Sequence, residues 1–172
     1  MARRRAVLCV AFAAAAFTGC AVQLSRERAR RAKCVSNLRQ IYMAIQVYAT
    51  DNDDAFPPSL AELFPRYVVD GRLYRCPTAQ MATVIEESDL PTGAKDAVGV
   101  FTEANTDYVY VPGMTGTFPP DCVLVYGKPG NHGEGEGTNV MFLAGHIAWL
   151  QPDALEAALA RTRKAIQKRA EQ

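Results

Sequence analysis

The sequence predicts an α+β fold in which a long N-terminal helix packs on a small antiparallel sheet and a C-terminal helix closes the chain. Three observations carry that reading. Residues 24–52 contain neither Gly nor Pro and place apolar side chains at helical spacing; four short segments rich in Val, Tyr, Phe and Ile lie between residues 107 and 150; and residues 152–172 return to a helical pattern. With 172 residues, 49% hydrophobic and 22% charged, the chain is sized for one globular domain and excludes collagen, disorder and coiled-coil arrays.

The N-terminus has the anatomy of an export signal over residues 1–19. Arg3, Arg4 and Arg5 precede an apolar run over residues 6–17, whose 12 residues fall short of the roughly 20 a spanning helix needs. Phe17-Thr18-Gly19-Cys20 resembles a bacterial lipobox. That resemblance implies diacylglycerol on Cys20 and cleavage before it; ordinary signal cleavage and an uncleaved short anchor are the alternatives. Several acyl chains on one cysteine meet the two-signal requirement for stable anchoring. Ala21, where Asp would signal retention at the inner membrane, implies a bacterial outer-membrane lipoprotein facing the periplasm, its first partner the membrane itself. Without the three arginines, Lys+Arg falls from 19 to 16 against 18 acidic residues, a net −2 that speaks against nucleic acid as a partner.

In residues 20–52, the expected lipid-anchored stem, Leu24, Val35, Leu38, Tyr42, Ile45 and Tyr48 follow one helical stripe. The 29 residues from 24 to 52 would extend about 43 Å, more than a head of this size can cover. Arg26, Arg28, Arg30, Arg31, Lys33 and Arg39 against Glu27 make the stem's first half basic, which suits either a solvated face or anionic headgroups and acidic partners. Residues 51–110 reverse the sign, with eleven acidic and four basic side chains. The helix should end at Asp51-Asn52-Asp53-Asp54, before Phe56-Pro57-Pro58.

The expected head spans residues 53–150. Ser59 and Glu62 have the spacing of a capping box for a short helix carrying Leu60, Leu63 and Phe64 and stopped by Pro65. Residues 78–106 read mostly as loop. Strands are expected at 107–111, 122–126, 139–143 and 146–150 in a meander. A two-residue loop at Ala144-Gly145 would pair Phe142 with Ile147 and Val140 with Trp149; a type I′ turn there would hold Ala144 at positive φ for roughly 1 to 2 kcal/mol. Residues 127–138 read as a flexible glycine-rich connection. In the closing helix Pro152 begins the first turn, Asp153 and Glu156 sit at the positive end, Lys168 and Arg169 at the negative end, and Leu155, Leu159, Thr162 and Ile166 line one side.

Two segments resemble the bacterial type IV pilin-like proteins, including type II secretion pseudopilins and the prepilin-type proteins with an H-X9-DG C-terminal motif. Lys33-Cys34-Val35-Ser36-Asn37-Leu38-Arg39-Gln40-Ile41, continuing to Tyr48-Ala49-Thr50-Asp51-Asn52 and Phe56-Pro57-Pro58, is similar to their stem and first turn. Asn139-Val140-Met141-Phe142-Leu143-Ala144-Gly145-His146-Ile147-Ala148-Trp149-Leu150 is similar to their terminal hairpin, with His132 upstream. The resemblance implies a pilin-like head and lower stem. The chain departs from the family in having a lipobox where a prepilin peptidase site and long apolar helix belong, eleven residues after His132 in place of nine, and Ala144 in place of Asp.

Chemistry-bearing residues are few. Of the mature cysteines, Cys20 would carry lipid, leaving Cys34, Cys76 and Cys122 in an oxidising compartment. Cys34 on the stem and Cys76 before Pro77 are the expected disulfide, with three free thiols as the alternative; no CxxC or paired histidines suggest a metal, so none is assigned. His132, His146 and Cys122 could be drawn as base and nucleophile, but no nucleophile elbow accompanies them and no catalytic residue is assigned. Gly127-Lys128 lacks the helix and spacing of a phosphate loop. Calcium is the one cofactor entertained, through Asp107, Asp121, Glu134 and Glu136, although no contiguous calcium loop exists and Asp51, Asp53 and Asp54 lack the following Gly. Phe142, Gly145, His146 and Trp149 are expected to be structural in the hairpin. The chain is therefore read as a non-catalytic envelope lipoprotein whose partners are other pilin-like or secretion-system proteins. An adaptor or ligand-binding lipoprotein unrelated to secretion comes second and a hydrolase third.

Overall fold

A computed structural model of the chain describes residues 2–79 and 106–171, with side chains described from Ser25 onward. Its order is helix α1 (Ala2–Asp51), two 3₁₀ turns (Leu60–Leu63 and Gly71–Tyr74), strands β1 (Tyr108–Tyr110), β2 (Val123–Gly127), β3 (Thr138–Phe142) and β4 (Ile147–Leu150), then helix α2 (Pro152–Ala170). The strands form one antiparallel meander in sequence order. Most of the expected 78–106 loop lies outside the described residues. Among the described residues, no helix is long and apolar enough to cross a membrane.

Helix α1 begins well before residue 24 and runs unbroken through Thr18, Gly19 and Cys20. Alanine supplies much of that continuity, since it has the highest helix propensity and one internal glycine costs only about 1 kcal/mol. Cys34, Leu38, Ile41, Ala44, Ile45 and Ala49 are buried, a stripe repeating every three to four residues. Tyr42 and Tyr48 flank it, half-buried. At its end, the amides of Asn52 and Asp54 donate to the Ala49 carbonyl at 3.1 and 2.9 Å, and Asn52 Nδ2 donates to the Tyr48 carbonyl at 2.7 Å. Asp53 and Asp54 then adopt left-handed φ of 52° and 61°, a region that short polar side chains tolerate better than most. The expected stop is therefore made, with aspartates where glycine is usual.

The capping box does not form. Ser59 stands at the N-cap of Leu60–Leu63 without a side-chain hydrogen bond, because the segment is a four-residue 3₁₀ turn. Leu60 and Leu63 are nevertheless buried against α1, as is Tyr74 from the second turn, whose hydroxyl donates to the Leu60 carbonyl at 3.2 Å.

The sheet lies between the two helices. Tyr108, Tyr110, Leu124, Val125 and Met141 join the α1 stripe in one core. Val123, Val140 and Phe142 face Leu155, Ala158 and Leu159 of α2 in a second, which Ala148 and Leu150 flank. A register irregularity between Val123 and Val125 turns adjacent residues of β2 toward the α1 side. On α2, Leu155, Leu159 and Thr162 are buried as expected, and Ile166 partly so. Thr162 Oγ1 accepts from the Val123 amide at 2.9 Å and donates to the Ala158 carbonyl at 3.0 Å, tying the helix to the strand.

The terminal hairpin corrects the expected register by one residue. Val140 pairs with Ala148, Met141 with Ile147 and Asn139 with Trp149, which puts Trp149 on the α1 side and half-buried, where a two-residue loop would set it opposite Val140. The cause is the loop. Phe142 and His146 close it through a 3.0 Å bond from the Phe142 amide to the His146 carbonyl, leaving Leu143, Ala144 and Gly145 as a three-residue connection. The Gly145 amide bonds the Phe142 carbonyl at 2.9 Å, and Gly145 alone takes positive φ, 83°. Ala144 thus carries none of the strain a type I′ turn would impose.

Gly145 is also required by space: a Cβ there would lie 3.1 Å from the Tyr42 ring, whose hydroxyl donates to the Leu143 carbonyl at 3.2 Å. Gly145→Ala should therefore destabilise by more than the roughly 1 to 2 kcal/mol of a left-handed L-residue, and a Tyr42→Leu background should recover part of the loss. Ala144→Asp should be close to neutral. Thermal melts of the variants check this; a Gly145→Ala protein as stable as wild type would contradict it.

Candidate functional site

Where the N-terminal end of the buried α1 stripe meets the loop between β2 and β3, three groups from distant parts of the chain converge. Cys34 comes from α1, Cys76 from the segment after the second 3₁₀ turn, and His132 from the glycine-rich connection; all three are buried. Cys34 Sγ lies 3.6 Å from Cys76 Sγ, and Cys76 Sγ lies 3.8 Å from His132 Nε2. The three donor atoms all lie within 4.8 Å of one another.

Local chemistry fixes each member. On α1, Glu27, Arg31, Cys34 and Leu38 follow at intervals of four, three and four, hence on one face. Cys76 is held by its own amide, which donates to Asp107 Oδ2 at 2.7 Å, and Arg75 pairs with the same carboxylate at 3.5 Å. His132 is carried inward by turns that need glycine: Gly130, Gly133 and Gly135 have positive φ, and Asn131 Nδ2 ties the loop to the Asp107 carbonyl at 2.7 Å. The connection expected to be flexible is thus a built loop with a buried tip. Its histidine faces two ways, with Nε2 toward Cys76 and Nδ1 toward Thr78 Oγ1 at 3.3 Å and the Glu27 carboxylate at 3.6 Å.

The two sulfurs are electrostatically unequal. The hydrogen bond with Cys34 holds the Cys76 thiol well below the ordinary thiol range against the opposing cost of burial, with His132 and the backbone amides of Ala79 and Thr78 assisting. Cys34 is pushed up by the same contact with Cys76 and by burial. The Tyr108 hydroxyl, 3.1 Å from Cys34 Sγ, is raised chiefly by burial. The two sulfurs share a hydrogen bond, and the Cys76 sulfur also faces the imidazole and the backbone amides.

A lid of charge and aromatic surface closes the corner. The Trp149 ring meets His132 edge-on at 5.1 Å between centroids, and the Arg31 guanidinium lies 4.1 Å above the indole. Arg31 also bonds Glu27 at 3.0 Å and Glu136 at 3.5 Å. Gly137 permits the close approach, because a Cβ there would fall 2.5 Å from Trp149 Nε1.

The other residues singled out from the sequence do not join this cluster. Cys122 is buried beside Thr162, its thiol raised by burial. His146 is exposed and stacks on Phe142 at 4.4 Å, so His132, His146 and Cys122 make no common base-and-nucleophile arrangement. The acidic residues weighed for calcium are spread out: Asp107 serves Cys76 and Arg75, Asp121 pairs with Arg161 at 4.0 Å, and Glu136 pairs with Arg31. Cys20 lies on α1 among the residues whose side chains are not described. Cys34 and Cys76, the expected disulfide partners, stand side by side as free thiols. The sequence pattern does not reveal His132 as their neighbour, nor Glu27 and Tyr108. Only the seven-residue spacing of Glu27 and Cys34 on a helix hints at any of it, since 56 residues separate His132 from Cys76.

A family model described as a protein of unknown function (DUF1559) matches residues 23–91. The match begins on the stem, spans Cys34 and Cys76, and ends before the sheet and His132. No curated protein and no solved structure matches the chain.

Trp149 is the chain's one tryptophan, so intrinsic fluorescence reads this corner directly. His132→Ala and Arg31→Ala should shift its emission to the red as water reaches the indole, and Cys122→Ser should leave it unchanged. Identical spectra for all three would mean that Trp149 does not cover the cluster.

Proposed function

We propose that the protein is a non-catalytic, pilin-like envelope lipoprotein, an interaction or structural component related to type II secretion or type IV pilus systems. The observation that carries this reading is the division of labour along α1. Its C-terminal part, from Cys34 to Ala49, forms the floor of the head. Glu27 reaches His132 of the head, and N-terminal to Glu27 the helix continues; cleavage before Cys20 leaves the residues from Cys20 to Arg26, about 10 Å of helix, between the lipid and the head. The lipobox-like junction at Cys20 falls within that extension, and Arg26 and Arg28 are exposed just beyond it, suited to anionic headgroups. On the stem within the head, Met43 and Val47 are exposed one turn apart, 59% and 54% accessible, apolar positions that another helix could cover. The match over residues 23–91 covers the first of the two segments that bear the pilin-like resemblance and not the terminal hairpin.

The test uses a bacterial host supplied with labelled fatty acid and a photo-crosslinking residue at Val47. Wild-type protein should take up label and sediment with membranes, Cys20→Ser should do neither, and the crosslinker should capture a second stem-helix protein of the envelope. Equal labelling of both forms would overturn the lipid anchor, and a head that crosslinks to nothing in intact cells would overturn the interaction role.

A further inference from the structure

We propose that Cys34, Cys76 and His132 form a binding site for a thiophilic d¹⁰ cation, zinc foremost, independently of the secretion-related reading above. A tetrahedral zinc centre with Zn–S of about 2.3 Å and Zn–N of about 2.0 to 2.1 Å has edges of about 3.8 Å between sulfurs and about 3.6 Å between sulfur and nitrogen. The structure has 3.6 Å between Cys34 and Cys76 and 3.8 Å between Cys76 and His132 Nε2. The sulfur–sulfur separation of this hydrogen-bonded pair is thus also that of two ligands sharing an ion.

The surroundings fit a metal in two further ways. Glu27 and Thr78 face His132 Nδ1 and would hold the ring proton there once Nε2 ligates the ion, the carboxylate–histidine orientation common around bound metals. Backbone amides of Thr78 and Ala79 donate to Cys76 Sγ, stabilising a thiolate. Loading displaces one proton for each thiol that is still protonated, and two thiolates with a neutral imidazole cancel the charge of a divalent ion, which makes its burial tolerable. Water or the Tyr108 oxygen, 3.1 Å from Cys34 Sγ, supplies the fourth ligand.

The experiment uses the untagged full-length chain carrying Cys9→Ser, Cys20→Ser and Cys122→Ser, reduced under anaerobic conditions, with Zn²⁺ and Co²⁺ as probes. One equivalent of zinc should survive gel filtration, and Co²⁺ should give thiolate-to-cobalt charge-transfer bands with the intense d–d absorption of a tetrahedral centre. Cys34→Ser, Cys76→Ser and His132→Ala should each weaken binding tenfold or more, and Glu27→Gln by about 10- to 100-fold as a partner of the ligating histidine. Circular dichroism separates lost binding from lost folding, and the unsubstituted site gives its answer without any variant. Less than a tenth of an equivalent of either metal, a cobalt spectrum without sulfur bands, or closure to a Cys34–Cys76 disulfide despite excess zinc under mild oxidant would overturn the proposal.

Discussion

The structure depends on one stripe of α1. Cys34, Leu38, Ile41, Ala44, Ile45 and Ala49 are buried on a single helical face, against which the two 3₁₀ turns and the inner face of the sheet pack. The 3₁₀ turns lay Leu60, Leu63 and Tyr74 against the stripe, the sheet covers it with Tyr108, Tyr110 and Met141, and the hairpin tip is pinned by Tyr42 through the Leu143 carbonyl. A three-residue strand such as β1 cannot stand alone. It exists because its two tyrosines have a helix to lie on.

At the N-terminal end of that stripe the core changes character. Leucine and isoleucine give way to Cys34, and the next turns of the helix offer Arg31 and Glu27, which bind the β2–β3 loop through His132 and Glu136 and strand β4 through Trp149. The boundary between head and stem is therefore polar, sealed by an indole and a guanidinium over a buried sulfur and imidazole pair. Such polar clusters are costly when half satisfied. That the chain uses a positive-φ glycine loop to bring His132 there, when an apolar residue would close the gap more simply, is what makes the cluster a candidate for chemistry beyond packing.

The long helix, the meander and the closing helix are legible because each is a local pattern: a run without Gly or Pro, alternating β-branched and aromatic residues between turn signals, a Pro at a helix start. The hairpin register is not, because Ala144-Gly145 suits either a two- or a three-residue loop, and the choice is made by Gly145 meeting Tyr42 from 103 positions away along the chain. The Ser59–Glu62 spacing looks like a cap, but tertiary burial of Leu60 and Leu63 favours a tight 3₁₀ turn instead. The nearness of the two cysteines can be anticipated from the return of the chain at Pro77. That of His132 cannot, since its position rests on three glycine conformations and an Asn131 bond to the Asp107 carbonyl, none of which leaves a trace in periodicity.

If the α1 stripe is the common wall of the head and the helix before Glu27 is an extension beyond it, the two parts must differ in stability while sharing one helix. Native-state hydrogen exchange on the isolated protein measures this residue by residue. The account predicts that amides over residues 34–49 exchange only through global unfolding, together with those of β2 and β3, and that amides N-terminal to Glu27 exchange orders of magnitude sooner. Equal protection along the whole of α1, or early exchange over 34–49 while the sheet remains protected, would contradict it.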